Sequence, residues 1–278
     1  MNKKNKERGD INGLSTYVIS DIHGCYKEFL LMLDKIGFSA ADTLIGAGDY
    51  IERGLNSYEM LKWIEHCPDN VWLVRGNHEE EFASYVDLML QLDREEELNS
   101  DFNSNQDTIV LYETIKYLFK KKGLSDLYFD LYGTIHKLLS DSGVNLNDLC
   151  RWAELIRKMP YFYKTVIKDR SCIVVHAGYA EKLEDISFAF SSLEQFYLYA
   201  RKESCQLGGK THGMIIAGHT PTIIKDEFFY NKGNVFRYYD KDKDCIFYNI
   251  DCGSVFRDKT TGAKLACIRL EDEKIFYI

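Results

Sequence analysis

The sequence predicts an α/β protein in which short buried strands alternate with helices and a helical insertion interrupts the strands. Five short apolar runs rich in β-branched residues each end abruptly in a small or polar cluster that contains His, Asp or Asn. Helical patterns separate the first three runs, as expected for parallel strands joined by right-handed crossovers. Residues 80–160 show helical patterns instead, which indicates an insertion.

The five apolar runs have the length and composition of strands that are buried on both faces. Helices are predicted between the first three, at residues 26–36 and 57–66. In sheets of this kind ligands bind beyond the carboxyl ends of the strands, so the clusters that follow the runs are expected to form one site. The runs are residues 17–20 before Asp21, 43–47 before Asp49, 71–75 before Asn77, 172–175 before His176 and 214–217 before His219.

The predicted domain organisation is a flexible tail over residues 1–14 and a single domain over residues 15–278. The insertion, at about residues 80–160, is expected to be a cap because the strand pattern resumes after it. Alternating patterns in residues 245–278 predict further strands, with turns at 251–253 and 261–262. Within the insertion, helices are predicted at residues 80–92, 107–121 and 146–158.

The composition indicates an ordinary globular protein that can bury a substantial core, with 45% hydrophobic and 28% charged residues. A formal net charge of -8 argues against a nucleic-acid partner, which normally needs a basic surface. Eight scattered cysteines without a C-x-x-C pair favour reduced thiols over a disulfide framework. With neither a signal peptide nor an apolar stretch of ~20 residues, the protein is expected to be cytoplasmic and without a membrane partner.

Four of the seven histidines follow apolar runs and stand beside Gly, Asp or Asn. Burying so many polar groups at the ends of strands is costly unless something satisfies them, and metal ions would do so. Carboxylate, imidazole and amide donors suit Mn²⁺, Fe or Zn²⁺ better than a thiolate site does. The four histidines are His23, His78, His176 and His219; the others, His66, His136 and His212, are expected to be structural or on the surface.

Three ordered motifs and two later histidines resemble the metallophosphatases of the phosphoprotein phosphatase family, especially the bacterial and phage members. The family signature is G-D-x-H-G, then G-D-x-x-D-R-G, then G-N-H-E. The matching segments here are residues 20–24, 48–54 and 76–79, followed by His176 and His219. The resemblance implies the calcineurin-like metallophosphoesterase fold, a β-sandwich of mixed sheets flanked by helices, here with a helical insertion.

The resemblance also implies a site for two divalent metal ions. By this analogy Asp21, His23 and Asp49 hold the first metal, and Asp49 bridges to a second one. The second metal is held by Asn77, His176 and His219. Manganese is the expected metal, with Fe, Zn²⁺ and Ni²⁺ as alternatives. Two such ions activate a bridging water and clamp the oxygens of an in-line displacement.

The remaining roles that the resemblance implies concern proton transfer and phosphate binding. His78 corresponds to the general acid, and Glu52 stands where the family has the Asp that orients it; the alternative is that Glu52 pairs with Arg53 or a helix start. Arg53 is expected to bind phosphate oxygens, together with Asn77. Arg201 is the best candidate for a second phosphate-binding arginine, with a solvated helix arginine as the alternative.

Three functions are compatible with this sequence. The first, which the sequence favours, is a serine/threonine protein phosphatase, which acts on a phosphorylated protein. The second is hydrolysis of a dinucleoside polyphosphate such as diadenosine tetraphosphate, since related enzymes cleave those small phosphoesters. The third is a non-catalytic binding module that retains the fold. The sequence does not indicate an oligomeric state.

Overall fold

The computed structural model of the chain describes residues 14–95, 105–121, 123, 129–186, 189–206 and 213–278. Apart from Leu14, the predicted N-terminal tail lies outside the described residues, as does His212. In the described part, no helix is long and apolar enough to cross a membrane. All eight cysteines are present as free thiols.

The first sheet contains the three strands that the N-terminal part of the sequence predicts. Strands β1 (Thr16–Ile19), β2 (Thr43–Gly46) and β3 (Val71–Leu73) are parallel. Helix α1 (Tyr26–Ile36) and helix α2 (Ser57–Glu65) connect them, as predicted. The last two strands are β9 (Ala266–Arg269) and β10 (Lys274–Tyr277). Strand β9 is antiparallel to β1 and β10 is antiparallel to β9, which gives the strand order β10-β9-β1-β2-β3.

The second sheet has the order β4-β5-β6-β8-β7. Its three central strands, β5 (Arg170–Val175), β6 (Gly213–Ala217) and β8 (Cys245–Asn249), are parallel. The edge strands β4 (Phe162–Ile167) and β7 (Phe236–Asp240) are antiparallel to their neighbours. Two short helices precede β6: α7 (Leu193–Tyr199) and α8 (Glu203–Gln206).

The two sheets pack face to face, which confirms the predicted sandwich of mixed sheets. Val18 and Ile45 of the first sheet share one apolar core with Val174 and Ile216 of the second. The alternate residues face outward, and Ile19, for example, packs in the core beneath the helices. Burial on both faces is therefore the reason why the strand sequences are continuously apolar.

The described residues of the insertion form four helices, one more than the sequence predicts. Helices α3 (Asn77–Glu95), α4 (Asn105–Lys121), α5 (Phe129–Asp141) and α6 (Leu146–Lys158) succeed one another. Their apolar residues share one core with those of α1 and α2. Helix α3 begins three residues earlier than predicted, because its first turn directly follows Gly76, whose carbonyl accepts the Glu80 amide at 3.1 Å. The metal-site candidate Asn77 thus lies in a helix.

Candidate active site

The polar clusters that follow the strands meet at one end of the sandwich, but they come from both sheets. Asp21, Asp49 and Asn77 follow strands of the first sheet, whereas His176 and His219 follow β5 and β6 of the second. Direct contacts connect the two groups. The His219 amide lies 3.1 Å from both carboxylate oxygens of Asp21, so one site is built from two sheets.

The backbone at this site is held in an unusual conformation. Six residues of the site have positive φ angles, which cost a non-glycine residue on the order of 1 kcal/mol or more each. Gly76 and Gly218 provide the room, because a Cβ atom there would lie 2.3 Å from Asp49 Oδ1 and 1.9 Å from Asp21 Oδ2. The six residues are Asp21, His23, Asp49, Glu52, Arg53 and His219.

Three donor atoms form a compact triangle between the sheets. His176 Nε2 lies 3.0 Å from Asn77 Oδ1 and 3.1 Å from His219 Nδ1, and the latter two atoms are 3.1 Å apart. Asp49 Oδ1 lies 3.4 Å from His176 Nε2. Metal bonds of about 2.0–2.2 Å place neighbouring ligand atoms roughly 3 Å apart. The spacing of these atoms therefore fits a metal ion.

A second group of donors surrounds the other oxygen of the same carboxylate. Asp49 Oδ2 lies 3.5 Å from His23 Nε2 and 3.9 Å from His78 Nε2. The nitrogen and oxygen atoms of each group lie within 4.8 Å of one another, close enough to hold a metal ion. Each Asp49 oxygen therefore faces a different donor group.

Backbone carbonyls orient two of the candidate ligand histidines. His176 Nδ1 lies 2.9 Å from the carbonyl of Ala47, and His23 Nδ1 lies 3.2 Å from the carbonyl of Ile51. A proton on Nδ1 satisfies each contact and leaves a lone pair on Nε2, which faces the site. Both imidazoles are thus presented in the tautomer that can bind a metal.

The electrostatics of the buried groups also suit cations. Burial raises the pKa of Asp21 and of Asp49 well above the ordinary carboxyl value. Burial lowers the pKa of His176 to about 4, and it also lowers that of His23 and that of His219. The neutral imidazole is the form that ligates metals, and nearby cations would favour the ionised carboxylates.

His78 and Glu52 form a buried pair next to these groups. His78 Nδ1 lies 2.6 Å from Glu52 Oε2, which leaves Nε2 directed toward Asp49. Burial lowers the pKa of His78, and the Arg53 guanidinium adds to this effect. The carboxylate of Glu52 favours a proton on His78. Of the arrangements considered for Glu52, the structure shows the one in which its carboxylate contacts His78.

The site opens into a cleft of about 780 Å³, called here the active-site cleft. Both candidate phosphate-binding arginines line it. Arg53 Nη1 lies 3.3 Å from His23 Nε2. Arg201 is half exposed and pairs with Glu227 at 2.8 Å. Tyr199, which the sequence did not single out, lines the same cleft.

Glu79 has a role at this site that sequence reasoning missed. Its buried carboxylate accepts four backbone N–H groups: those of Asp49 and Gly76 at 2.8 and 3.0 Å on Oε2, and those of Tyr50 and Ile51 at 2.8 and 3.3 Å on Oε1. These bonds hold the loop that carries Asp49 against the start of α3. In the sequence, Glu79 is marked by its place as the glutamate of the G-N-H-E motif.

Asp251 is a second residue without a sequence-based role. It is buried, its carboxylate raises the pKa of Asp21, and burial raises its own pKa to about 6. Nearby Asn249 donates to the carbonyl of Thr220 at 2.8 Å and thereby supports the loop that carries His219. Residues 245–248 form an apolar run that precedes the polar residues Asn249 and Asp251, so the pattern of the other clusters would have identified Asp251.

Comparison with known proteins gives a family and a fold for this chain. Residues 14–223 match the calcineurin-like phosphoesterase family model. A crystal structure described as that of a candidate diadenosine tetraphosphatase superposes with a TM-score of 0.52 and 14% sequence identity, covering 96% of this chain and 94% of that one. This similarity shows a shared fold.

Two curated relatives are named as symmetrical bis(5'-nucleosyl)-tetraphosphatases. The one from Wigglesworthia glossinidia brevipalpis is 28% identical over 200 residues, which cover 72% of this chain and 54% of the relative. The one from Buchnera aphidicola (subsp. Acyrthosiphon pisum, strain Tuc7) is 36% identical over 104 residues, which cover 37% of this chain and 38% of the relative. The matches therefore span about half of the first relative and little more than a third of the second.

Proposed function

The chain belongs to the calcineurin-like phosphoesterase family, and from this premise we propose that it hydrolyses a dinucleoside polyphosphate such as diadenosine tetraphosphate. The family hydrolyses phosphoesters with divalent metals, and the chain has donor groups for such ions. The observation that carries the proposal is the Asp49 carboxylate, whose two oxygens face two separate donor groups. Such a carboxylate is suited to bridging two ions.

We assign the donors to two metal positions. Asp21, His23 and Asp49 would hold one ion, and Asn77, His176 and His219 would hold the other together with Asp49. Two ions held there supply Lewis acidity toward phosphoryl oxygens and an activated water. Mn²⁺ is the proposed metal, with Fe, Zn²⁺ and Ni²⁺ as alternatives that the same nitrogen and oxygen donors accept.

The other polar side chains of the cleft bind the substrate and transfer a proton. The guanidinium groups of Arg53 and Arg201 would hold phosphoryl oxygens, with the amide of Asn77 beside them. Glu52 holds Nδ1 of His78, so that Nε2 is directed toward the reacting phosphoryl group. From this position His78 would deliver a proton to the oxygen that leaves.

The substrate proposal changes the order that the sequence favoured. The sequence favours a serine/threonine phosphatase, whereas the names of the two relatives support the dinucleoside polyphosphate. The active-site cleft also contains apolar side chains, Ile224, Val255 and Phe256, against which a nucleobase can pack. Such a substrate has several phosphates for the two arginines and one base at each end.

A direct comparison of substrates tests this proposal. We expect the Mn²⁺-loaded protein to cleave diadenosine tetraphosphate with a kcat/KM at least about tenfold above that for phosphoserine and phosphothreonine peptides. Chromatography of the nucleotide products measures the first reaction, and phosphate release measures the second. The reverse order would establish a protein phosphatase. Absence of turnover with every substrate and metal would favour the binding module.

The bridging role assigned to Asp49 has its own test. Asp49→Ala should abolish tight binding of both metals and nearly all turnover, because each proposed position loses a carboxylate oxygen. Metal analysis of the purified variant measures the first effect. Asp34→Ala, which removes an exposed carboxylate on α1, is the matched control. An Asp49→Ala protein that retains two metals would refute the assignment.

A further inference from the structure

A second cavity lies beside the active-site cleft, between the insertion helix α5 and residues 53–59, which comprise a loop and the first turn of α2. We call it the cap cavity. Its volume of about 450 Å³ is typical of small-molecule sites. Arg53 lines both the cap cavity and the active-site cleft. A ligand can therefore extend from one space into the other past a single guanidinium group.

The side chains that line the cap cavity have the chemistry of a nucleoside site. Leu55, Tyr58 and Leu138 provide apolar and aromatic surface, against which a base can pack. The carboxylates of Glu59 and Asp141 can accept hydrogen bonds from ribose hydroxyls or base amino groups. The same carboxylates repel phosphate, so the phosphate end of such a ligand is drawn toward Arg53.

Two features keep the cap cavity open. Lys137 Nζ donates to the carbonyl of Leu55 at 3.1 Å and so connects α5 to the loop on the opposite wall. Gly133 lies inside α5, where a glycine costs about 0.5–1 kcal/mol relative to alanine. Apart from its chain neighbours and the backbone of its own helix, no described residue has an atom within 4 Å of the position that its Cβ would occupy. The glycine thus leaves free a space that a side chain would fill.

We propose that the cap cavity binds one nucleoside of the substrate while Arg53 holds the adjoining phosphates. This inference rests on the proposed function and extends it, because it assigns the helical insertion a part in substrate recognition. The ligand class is a nucleoside 5'-polyphosphate, and ADP, the expected product from diadenosine tetraphosphate, represents it.

A bulky side chain at Gly133 tests the inference. Gly133→Trp places an indole ring in the space next to Gly133 and should weaken ADP binding to the Mn²⁺-loaded protein by at least about tenfold, the value of one stacked base. Binding of inorganic phosphate, which has no nucleoside, should change by less than about twofold. Isothermal titration calorimetry measures both. Gly133→Leu provides a milder variant with the same expected direction.

His136→Trp is the matched control, since it adds the same side chain to an exposed position of α5 that lines neither space. It should bind ADP as the unmodified protein does. Equal ADP affinity in Gly133→Trp and the unmodified protein would overturn the inference, as would an equal loss of phosphate affinity.

The outcome is separable from that of the proposed function. If Gly133→Trp and the unmodified protein cleave diadenosine tetraphosphate equally well and bind ADP equally well, the nucleoside site is refuted, whereas the proposed hydrolysis of diadenosine tetraphosphate is supported. If only phosphopeptides are cleaved but Gly133→Trp still loses ADP, the cavity is a nucleotide site and the proposed substrate is wrong.

Discussion

At the scale of single residues, the pair formed by Glu52 and His78 is the main departure from the family motif. The chain has glutamate where the family has aspartate, and its backbone at this position has a φ angle of 71°. The carboxylate nevertheless reaches His78 Nδ1 at 2.6 Å. The longer side chain is thus accommodated, and the histidine is held in one orientation.

Replacing Glu52 tests this pairing through the leaving group. In Glu52→Gln we expect kcat for alkyl phosphates to fall about 10²-fold or more, since His78 loses the charge that favours its proton. The loss should be smaller for p-nitrophenyl phosphate, whose leaving anion needs little protonation. Steady-state kinetics over phosphate esters of rising leaving-group pKa measures the difference.

The double variant provides the control for this prediction. His78→Asn should show the same dependence on the leaving group, and combining it with Glu52→Gln should cost little more than either change alone, because the two residues act as a unit. Equal losses for all leaving groups would mean that the pair serves structure and not proton transfer.

The sequence predicts those candidate site residues whose own side chains form the recognisable pattern. Each candidate ligand follows an apolar run, and the structure brings these residues together. Glu79 was missed because its partners are backbone N–H groups, which no side-chain pattern reveals. The positive φ angles were not predicted either, since Asp21 and His219 adopt them only under the constraint of surrounding contacts.

At the scale of secondary-structure elements, the first turn of α3 organises the site. Asn77 and His78 project toward the donors, while Glu79 accepts the backbone N–H groups of the preceding strand–helix unit. The sequence predicted this helix but started it at residue 80, because Gly76 and Asn77 read as a loop. Edge strands β4 and β7 and helix α5 were not predicted, since partly exposed elements have weaker apolar patterns.

Glu79→Gln should weaken the fold and the site together. A glutamine oxygen can replace one carboxylate oxygen, but its NH₂ group would face the other two donors and leave them unsatisfied. We expect the free energy of unfolding to fall by about 2–6 kcal/mol, at 1–3 kcal/mol for each of the two unpaired buried donors. Urea unfolding in the presence of a chelator measures this without a contribution from metals.

The neighbouring Glu80→Gln is the control. Glu80 is about one third exposed and pairs with the buried Arg75 at 2.7 Å. A glutamine oxygen can still accept from this guanidinium, which also donates to the carbonyls of Arg157 and Met159, so the free energy of unfolding should fall by less than in Glu79→Gln. If both variants unfold at the same urea concentration, the four N–H bonds do not stabilise the Asp49 loop.

At the scale of the whole molecule, the site joins the two sheets of the sandwich. The sequence predicted the strands and their polar ends, but it did not assign them to separate sheets. The apolar runs have similar lengths and compositions in the two sheets. The assignment of strands to sheets follows from the pairing of β1 with β2 and of β5 with β6, which the sequence does not show. A metal bound between Asn77 and His176 therefore links two layers.

Metal binding should accordingly stabilise the entire domain. At about 100 times the dissociation constant, a ligand adds about 2.7 kcal/mol to the free energy of unfolding. We expect Mn²⁺ to raise the Tm by several degrees and a chelator to reverse the rise. His176→Asn should abolish most of the shift, whereas His136→Asn, on the surface, should retain it. Differential scanning fluorimetry is sufficient; an unchanged Tm in saturating Mn²⁺ would contradict the prediction.

The origin of the site in two sheets also has a consequence for synthesis of the chain. Asp21 leaves the ribosome 198 residues before His219, whose amide it contacts. Domains fold as units when their chain is available, so the nascent polypeptide can pair β1, β2 and β3 long before it has a complete set of donors. A growing or truncated chain that stops short of His219 therefore lacks part of the candidate donor set, although β1, β2 and β3 can already be paired.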